Sequence, residues 1–352
     1  MDADQSALQC NACGGLSYFS PERSALECLS CGETYDLGQP DDYLARDEYA
    51  HRPDVAEPEE SITPAKRAHQ CQNCGGEVLF TGPALSAHCP YCNGPVFLVF
   101  GDAGYRTMAL IPFRVDAPFA KRLAQEWVAS RVACPAGLSD VVAQGDVAGL
   151  YAPFWTFNSD EVVQYWANYL KPGGKAIRIR STKGQMKIAF DDMLMPASSH
   201  VTPLIRDGIL HEFDPLLHEF DPRDLKPYRA GYLAGFAAER HHQTVAEGIA
   251  ANRADKDLLI RNHIKYKIDR AGVHGIRYLT DTSGIHYRRI LLPVWILHYT
   301  YGGRAYKIVV SGIDGRTFGE RPFARRRMAF YSAVISACII GLGMAIGAAA
   351  AF

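Results

Sequence analysis

Apolar and polar residues alternate in several short segments, and a two-residue period predicts half-buried strands. Residues 16–19 and 24–27 form one pair of such segments, separated by a turn at Pro21, and residues 95–100 form another. The same alternation recurs over 162–169, 176–180, 186–190, 298–301 and 304–310. Helical spacing replaces it twice. Residues 120–132 bring Leu123, Trp127, Val128 and Arg131 onto one face, and residues 237–252 do so with Val245, Ile249 and Ala250. Two echoes link these stretches. Tyr151-Ala-Pro153-Phe154-Trp155 and Leu292-Pro293-Val294-Trp295 lie 140 positions apart, each after a helix candidate and before an alternating stretch. That order predicts an α+β body with an internal duplication.

The longest apolar run is the last. Met328 through Phe352 is twenty-five residues without a charge, and at ~1.5 Å per residue it is long enough to cross a ~30 Å hydrocarbon core. Arg321, Arg325, Arg326 and Arg327 precede it, which predicts a single-pass helix at the cytoplasmic membrane with the N-terminal bulk in the cytosol. Gly343, Gly347 and Ala351 stand at small-x-x-x-small spacing, so the helix either pairs with a second copy, giving a homo-oligomer, or faces lipid. The first residues are acidic and no apolar run follows them, so no signal peptide is expected.

Ten cysteines change the picture. Cys10-Asn-Ala-Cys13 is followed, fourteen residues on, by Cys28-Leu-Ser-Cys31, and Cys71-Gln-Asn-Cys74 is followed at the same spacing by Cys89-Pro-Tyr-Cys92. Four thiolates in two Cys-x-x-Cys pairs fit the corners of one tetrahedron, the geometry of structural Zn²⁺. Gly75, Asn93 and Gly94 supply residues that tolerate the left-handed backbone of a metal knuckle. In a reducing cytosol such pairs bind metal rather than each other. Two zinc ions are therefore expected, held by Cys10, Cys13, Cys28 and Cys31 and by Cys71, Cys74, Cys89 and Cys92. Cys134 and Cys338 belong to neither set.

These readings divide the chain into zinc ribbon 1 over 1–37, an acidic flexible linker over 38–65 and zinc ribbon 2 over 66–100. Two α+β repeats follow over 101–200 and 201–322, and a transmembrane helix over 328–352. Pro40, Pro53, Pro58 and Pro64 with runs of like charge favour an extended linker, so the ribbons are expected to move independently.

Charge is distributed unevenly. Residues 1–65 carry fourteen Asp/Glu against three Arg, although the whole chain is only −1. The acidic arm would repel phosphates, whereas the remainder is basic. Lys171, Lys175, Arg178, Arg180, Lys183 and Lys187 lie in a stretch without an acid between 171 and 190. Three readings stay open for it: a solvated strand face, contact with anionic lipid, or contact with nucleic acid.

Catalytic chemistry finds no carrier. Lys171-Pro-Gly173-Gly174-Lys175-Ala176 lacks the first glycine and the Ser/Thr of a phosphate loop, which excludes a nucleotide-driven motor. His241 and His242 are adjacent and point apart, and the repeated His211-Glu-Phe-Asp-Pro and His218-Glu-Phe-Asp-Pro sit among prolines without fixed geometry.

The chain resembles an uncharacterised group of bacterial TFIIB-type zinc-ribbon proteins. Cys71-x-x-Cys74-Gly75-Gly76 with Cys89-Pro-x-Cys92, Tyr151-Ala-Pro-Phe-Trp155, Pro227-Tyr228, Tyr232-Leu-Ala-Gly-Phe236, and Leu291-Leu-Pro-Val-Trp295 through Gly312-x-Asp-Gly315 carry the likeness. Members are sometimes labelled as the primosomal replication-restart helicase, whose motor motifs this chain lacks. The resemblance implies zinc binding without an established task. The expected function is a membrane-anchored adaptor presenting two cytosolic zinc ribbons to protein partners, with a membrane-tethered nucleic-acid-binding protein as the alternative.

Overall fold

A computed structural model describes residues 9–37, 48–52, 67–71, 73–74, 76–80, 89–92, 96–100, 105–173, 176–201, 204–205, 222–251 and 253–350. Ribbon 1 contributes a small sheet of β1 (Ser17–Ser20), β2 (Ala25–Cys28) and β3 (Thr34–Tyr35) in that order. The remaining strands join one twelve-stranded sheet. They are β4 (Tyr49–Ala50), β5 (Arg67–Cys71), β6 (Glu77–Phe80), β7 (Val96–Phe100), β8 (Ala109–Leu110), β9 (Asp146–Gly173), β10 (Ala176–Pro196), β11 (Lys226–Pro227), β12 (Ala237–Glu239), β13 (His274–Tyr301), β14 (Arg304–Ser311) and β15 (Thr317–Gly319).

The sheet is organised around β9 and β13, two strands of 28 residues that pair antiparallel almost from end to end. Their register sets Ala152 opposite Leu292, so the two Pro-x-Trp segments run past each other. On the outer side of β9 lie β12, parallel at Leu150 and Tyr151, and then β10. On the outer side of β13 lie β8, parallel at Ile290 and Leu291, and then β14. Each long strand is preceded by a helix pair: α1 (Ala117–Ala129) and α2 (Leu138–Ala143) before β9, α3 (Val245–Ala251) and α4 (Arg253–Ile268) before β13.

Alternation along β9 decides what each face buries. Tyr151, Trp155, Phe157, Val163 and Tyr165 point to the helices, the first into a core with α1 and α2 and the others against α3 and α4. Leu150, Ala152 and Phe154 point the other way, into a core shared with ribbon 2 through Cys71, Val78, Cys89 and Tyr91. Asp116 caps α1, its Oδ1 accepting from the Phe119 amide at 2.7 Å.

Several expectations are corrected here. The body is mostly β-sheet with five helices among the described residues, not a balanced α+β arrangement, because the alternating segments fuse into strands of up to 28 residues. Residues 237–252 do not form one helix; β12 opens the stretch and α3 follows. The ribbons do not stand free. Phe19 and Leu26 of ribbon 1 are buried against Tyr232 and Leu233, the Phe19 amide donates to Ala234 O at 2.9 Å, and Arg229 donates to Leu37 O. Within the expected linker, β4 pairs with β13 at His286 and Tyr287, and Arg288 bridges Glu48 and Asp192.

The expected transmembrane helix is also corrected. Helix α5 (Arg325–Ala350) begins with three arginines, and its side chains are described as far as Ile340. The apolar part so described, 328–340, rises about 20 Å at 1.5 Å per residue, short of a ~30 Å core. Among the described residues no helix is long and apolar enough to cross a membrane, which overturns the single-pass placement at the cytoplasmic membrane.

Candidate metal centres

Both predicted cysteine sets converge. At the first centre Cys10 Sγ lies 3.6 Å from Cys31 Sγ, and Cys13 Sγ 3.5 Å from Cys28 Sγ. At the second, Cys71 and Cys92 are 3.5 Å apart, and Cys74 and Cys89 3.7 Å. All four sulfurs of each set lie within 4.8 Å of one another. A tetrahedron with Zn–S bonds of ~2.3 Å has edges of about 3.8 Å, so the donor set fits zinc in number, element and spacing. The distances are far beyond the ~2.05 Å of a disulfide, and all eight are free thiols. The two centres are positioned to bind two zinc ions.

Local backbone builds each knuckle. In ribbon 1 the Gly14 amide donates to Cys10 O at 2.8 Å, and the Gly32 amide to Cys28 O at 3.0 Å. Both glycines adopt left-handed φ angles, 71° and 72°, which a side chain would strain. Amides then turn toward sulfur: Gly15 N lies 3.4 Å from Cys13 Sγ, Ser30 N 3.4 Å from Cys28 Sγ, and Asn73 N 3.4 Å from Cys71 Sγ. Hydrogen bonds to the charged form favour it. The amides of Cys31 and Ser30 bring the Cys28 thiol down to about 6. At Cys71, burial acts upward, but the Cys74 and Asn73 amides prevail and bring it to about 7. Neighbouring sulfurs do the reverse: the Glu33 amide lowers Cys31, yet Cys13 and Cys28 drive it up to about 12. Without a cation, each thiolate opposes the next. A divalent ion removes that opposition.

The body grips ribbon 2 by its knuckle carbonyls, through residues that spacing arguments miss. His200 Nε2 donates to Cys74 O at 3.2 Å, His298 Nε2 to Pro90 O at 2.9 Å, and Lys307 Nζ to Tyr91 O at 3.2 Å. Tyr91 and Ser198 donate to Glu239, and His200 Nδ1 lies 3.0 Å from its Oε1. The hydrogen bond to Glu239 raises the His200 imidazole above its ordinary range. In sequence, only the tyrosine inside Cys-Pro-Tyr-Cys offered a signal.

Other predicted candidates are not gathered into a site. His241 is fully buried, its Nε2 donating to Phe154 O at 3.2 Å. His211, His218, Lys175, Gly75, Asn93 and Gly94 lie outside the described residues. Lys171, Arg178, Arg180, Lys183 and Lys187 are exposed on the β9–β10 hairpin, and so are Ile177 and Ile179, which were expected to face a core.

Two four-cysteine centres mounted on opposite faces of one large sheet define a two-centre zinc-ribbon protein. The chain is similar, at 23% identity over 241 residues, to a Bacillus subtilis (strain 168) protein described as uncharacterized protein YdjG. The match covers 66% of this chain and 69% of that one. No family model matches the chain, and no solved structure matches it.

Proposed function

We propose that the chain is a zinc-dependent adaptor, in which the β-sheet body holds two ribbons in place and ribbon 1 offers its outer end to a protein partner. One observation carries this reading. Leu16 and Leu29 are 44% and 58% exposed, and the Leu29 amide donates to Leu16 O at 3.0 Å. They sit beside the exposed Cys13 and Cys31, while the opposite side of the ribbon buries Phe19 and Leu26. A ribbon that needed only to fold would have little use for an apolar pair turned outward. Glu22, Glu27, Glu33 and Asp36 surround it, and Arg23 is paired with Glu27 at 3.7 Å. An apolar anchor with a basic rim on the partner suits such a surface.

The test is affinity capture with the full chain beside a Leu16→Asp/Leu29→Asp variant, both loaded with two zinc ions. A protein recovered in stoichiometric amount with the natural chain and lost with the variant supports the reading. Recovery of the same proteins by both would sink it.

A further inference from the structure

The sheet face that ribbon 2 covers at one end is open at the other. Beyond Phe154, the same face of β9 runs on through Val162, Gln164, Trp166, Asn168 and Leu170, whereas α4 packs only on the opposite side. Trp166 is 37% exposed there, and Ile179 and Leu279 are exposed on the flanking strands. The cross-strand row through Trp166 is Lys183 on β10 and Arg277 on β13. Strand spacing of ~4.8 Å places a cation on each side of the indole.

Arg277 reaches that row through an irregularity. His274 pairs with Asn168 and Arg277 with Trp166, so β13 carries an extra residue, and Gly275 sits in the kink at φ 62°. Bulges of this kind re-aim a side chain. Trp166, Lys183 and Arg277 border an open groove of about 350 Å³, with Asn168, Ser181 and Gly275 also lining it.

An exposed indole offers a flat apolar platform, and the two cations ask that its partner carry negative charge. Unpaired nucleotides supply both at once, because each has a base with a π-face and a phosphate. A duplex keeps its base faces stacked, so the complementary form is single-stranded. Acids mark where the track ends. Lys187 shares its row with Val162 and Asp281, and Asp160 stands one row further toward the body. We infer that this face binds single-stranded nucleic acid, with a base stacked on Trp166 and phosphates against Lys183 and Arg277. This goes beyond the adaptor reading and does not rest on it.

The experiment is fluorescence anisotropy of the full chain with a labelled oligo-dT of about fifteen nucleotides, across a range of salt. The natural chain binds at low salt. Trp166→Ala weakens binding about ten-fold or more, and Trp166→Phe restores most of it. Lys183→Gln with Arg277→Gln lowers the slope of log affinity against log salt by about 1.4, at ~0.7 per phosphate. All three side chains are exposed, and a zinc content of two per chain verifies that each variant is folded. Should the tryptophan variant fail that check, the double charge variant carries the test alone. No binding at low salt, an affinity indifferent to Trp166→Ala in the folded variant, or an unchanged slope in the double variant overturns the assignment. So does capture by phosphatidylglycerol vesicles that survives Trp166→Ala when the oligonucleotide does not bind.

Discussion

The Tyr91 hydroxyl, set between two ligand positions of ribbon 2, donates to Oε2 of Glu239 on β12. Glu239 is 2% exposed and also accepts from Ser198. Tyr91→Phe would leave a buried carboxylate oxygen without that donor, at a cost of about 1–3 kcal/mol. The expected outcome is a melting temperature lowered by several degrees with zinc content still at two. A melt indistinguishable from that of the natural chain would mean the contact adds nothing to the grip on ribbon 2.

Metal content follows from the sulfur geometry. Reduced, purified protein should contain two zinc ions per chain by elemental analysis, and Cys71→Ser with Cys74→Ser should remove one while ribbon 1 keeps its own. A value near zero, with disulfides in place of metal, would contradict both centres.

Stability should decline with acid through His241. Burial lowers this imidazole from 6.5 to about 3, and the nearby Arg289 acts in the same direction. The folded pKa is depressed, so between those values the unfolded chain binds a proton that the folded chain does not. Stability is therefore complete above about pH 6.5 and falls as pH drops towards 3, by ~1.4 kcal/mol per pH unit. His241→Gln should flatten that slope in denaturant titrations at pH 7, 6 and 5. Parallel profiles for the two proteins would place the acid sensitivity elsewhere.

Ribbon 1 should loosen when its anchor is cut back. Phe19 is 1% exposed and meets the Tyr232 ring edge-on at 5.3 Å. Phe19→Ala should cost about 3–5 kcal/mol in contacts between ribbon and body. Limited proteolysis should then cut the first fifty or so residues free well before the body is attacked. Equal resistance in both proteins would show that Phe19 is not the anchor.

The zinc centres are legible in sequence because metal geometry fixes ligand spacing whatever surrounds it. The strands beside them are legible for a related reason: β1 and β2 fall within one residue of the alternation around Pro21. The body is harder to read because Pro153 and Pro293 stand in its two central strands, and a proline normally breaks a ladder by removing a donor. Here the loss falls at a seam. Pro153 O accepts from Ala197 and Pro293 O from Gly312, so each missing N–H faces the outer side, where a short parallel strand ends and a long antiparallel one begins. Trp166 and Arg277 were hidden for another reason. They lie 111 positions apart, and only the kink at Gly275 brings them into one row.

The pairing of Ala152 with Leu292 also sets a schedule for the ribosome. Synthesis at roughly 5–20 residues per second leaves an interval of about 7–28 s between the two partners. Through that interval β9 has β10 on one edge and bare amides and carbonyls on the other, including those of Leu150, Tyr151 and Phe154. An unpaired apolar edge of that length is a template for the wrong neighbour. Translation pauses between residues 173 and 274, or a shortage of chaperones, should therefore reduce the yield of native protein more than comparable pauses after Tyr301.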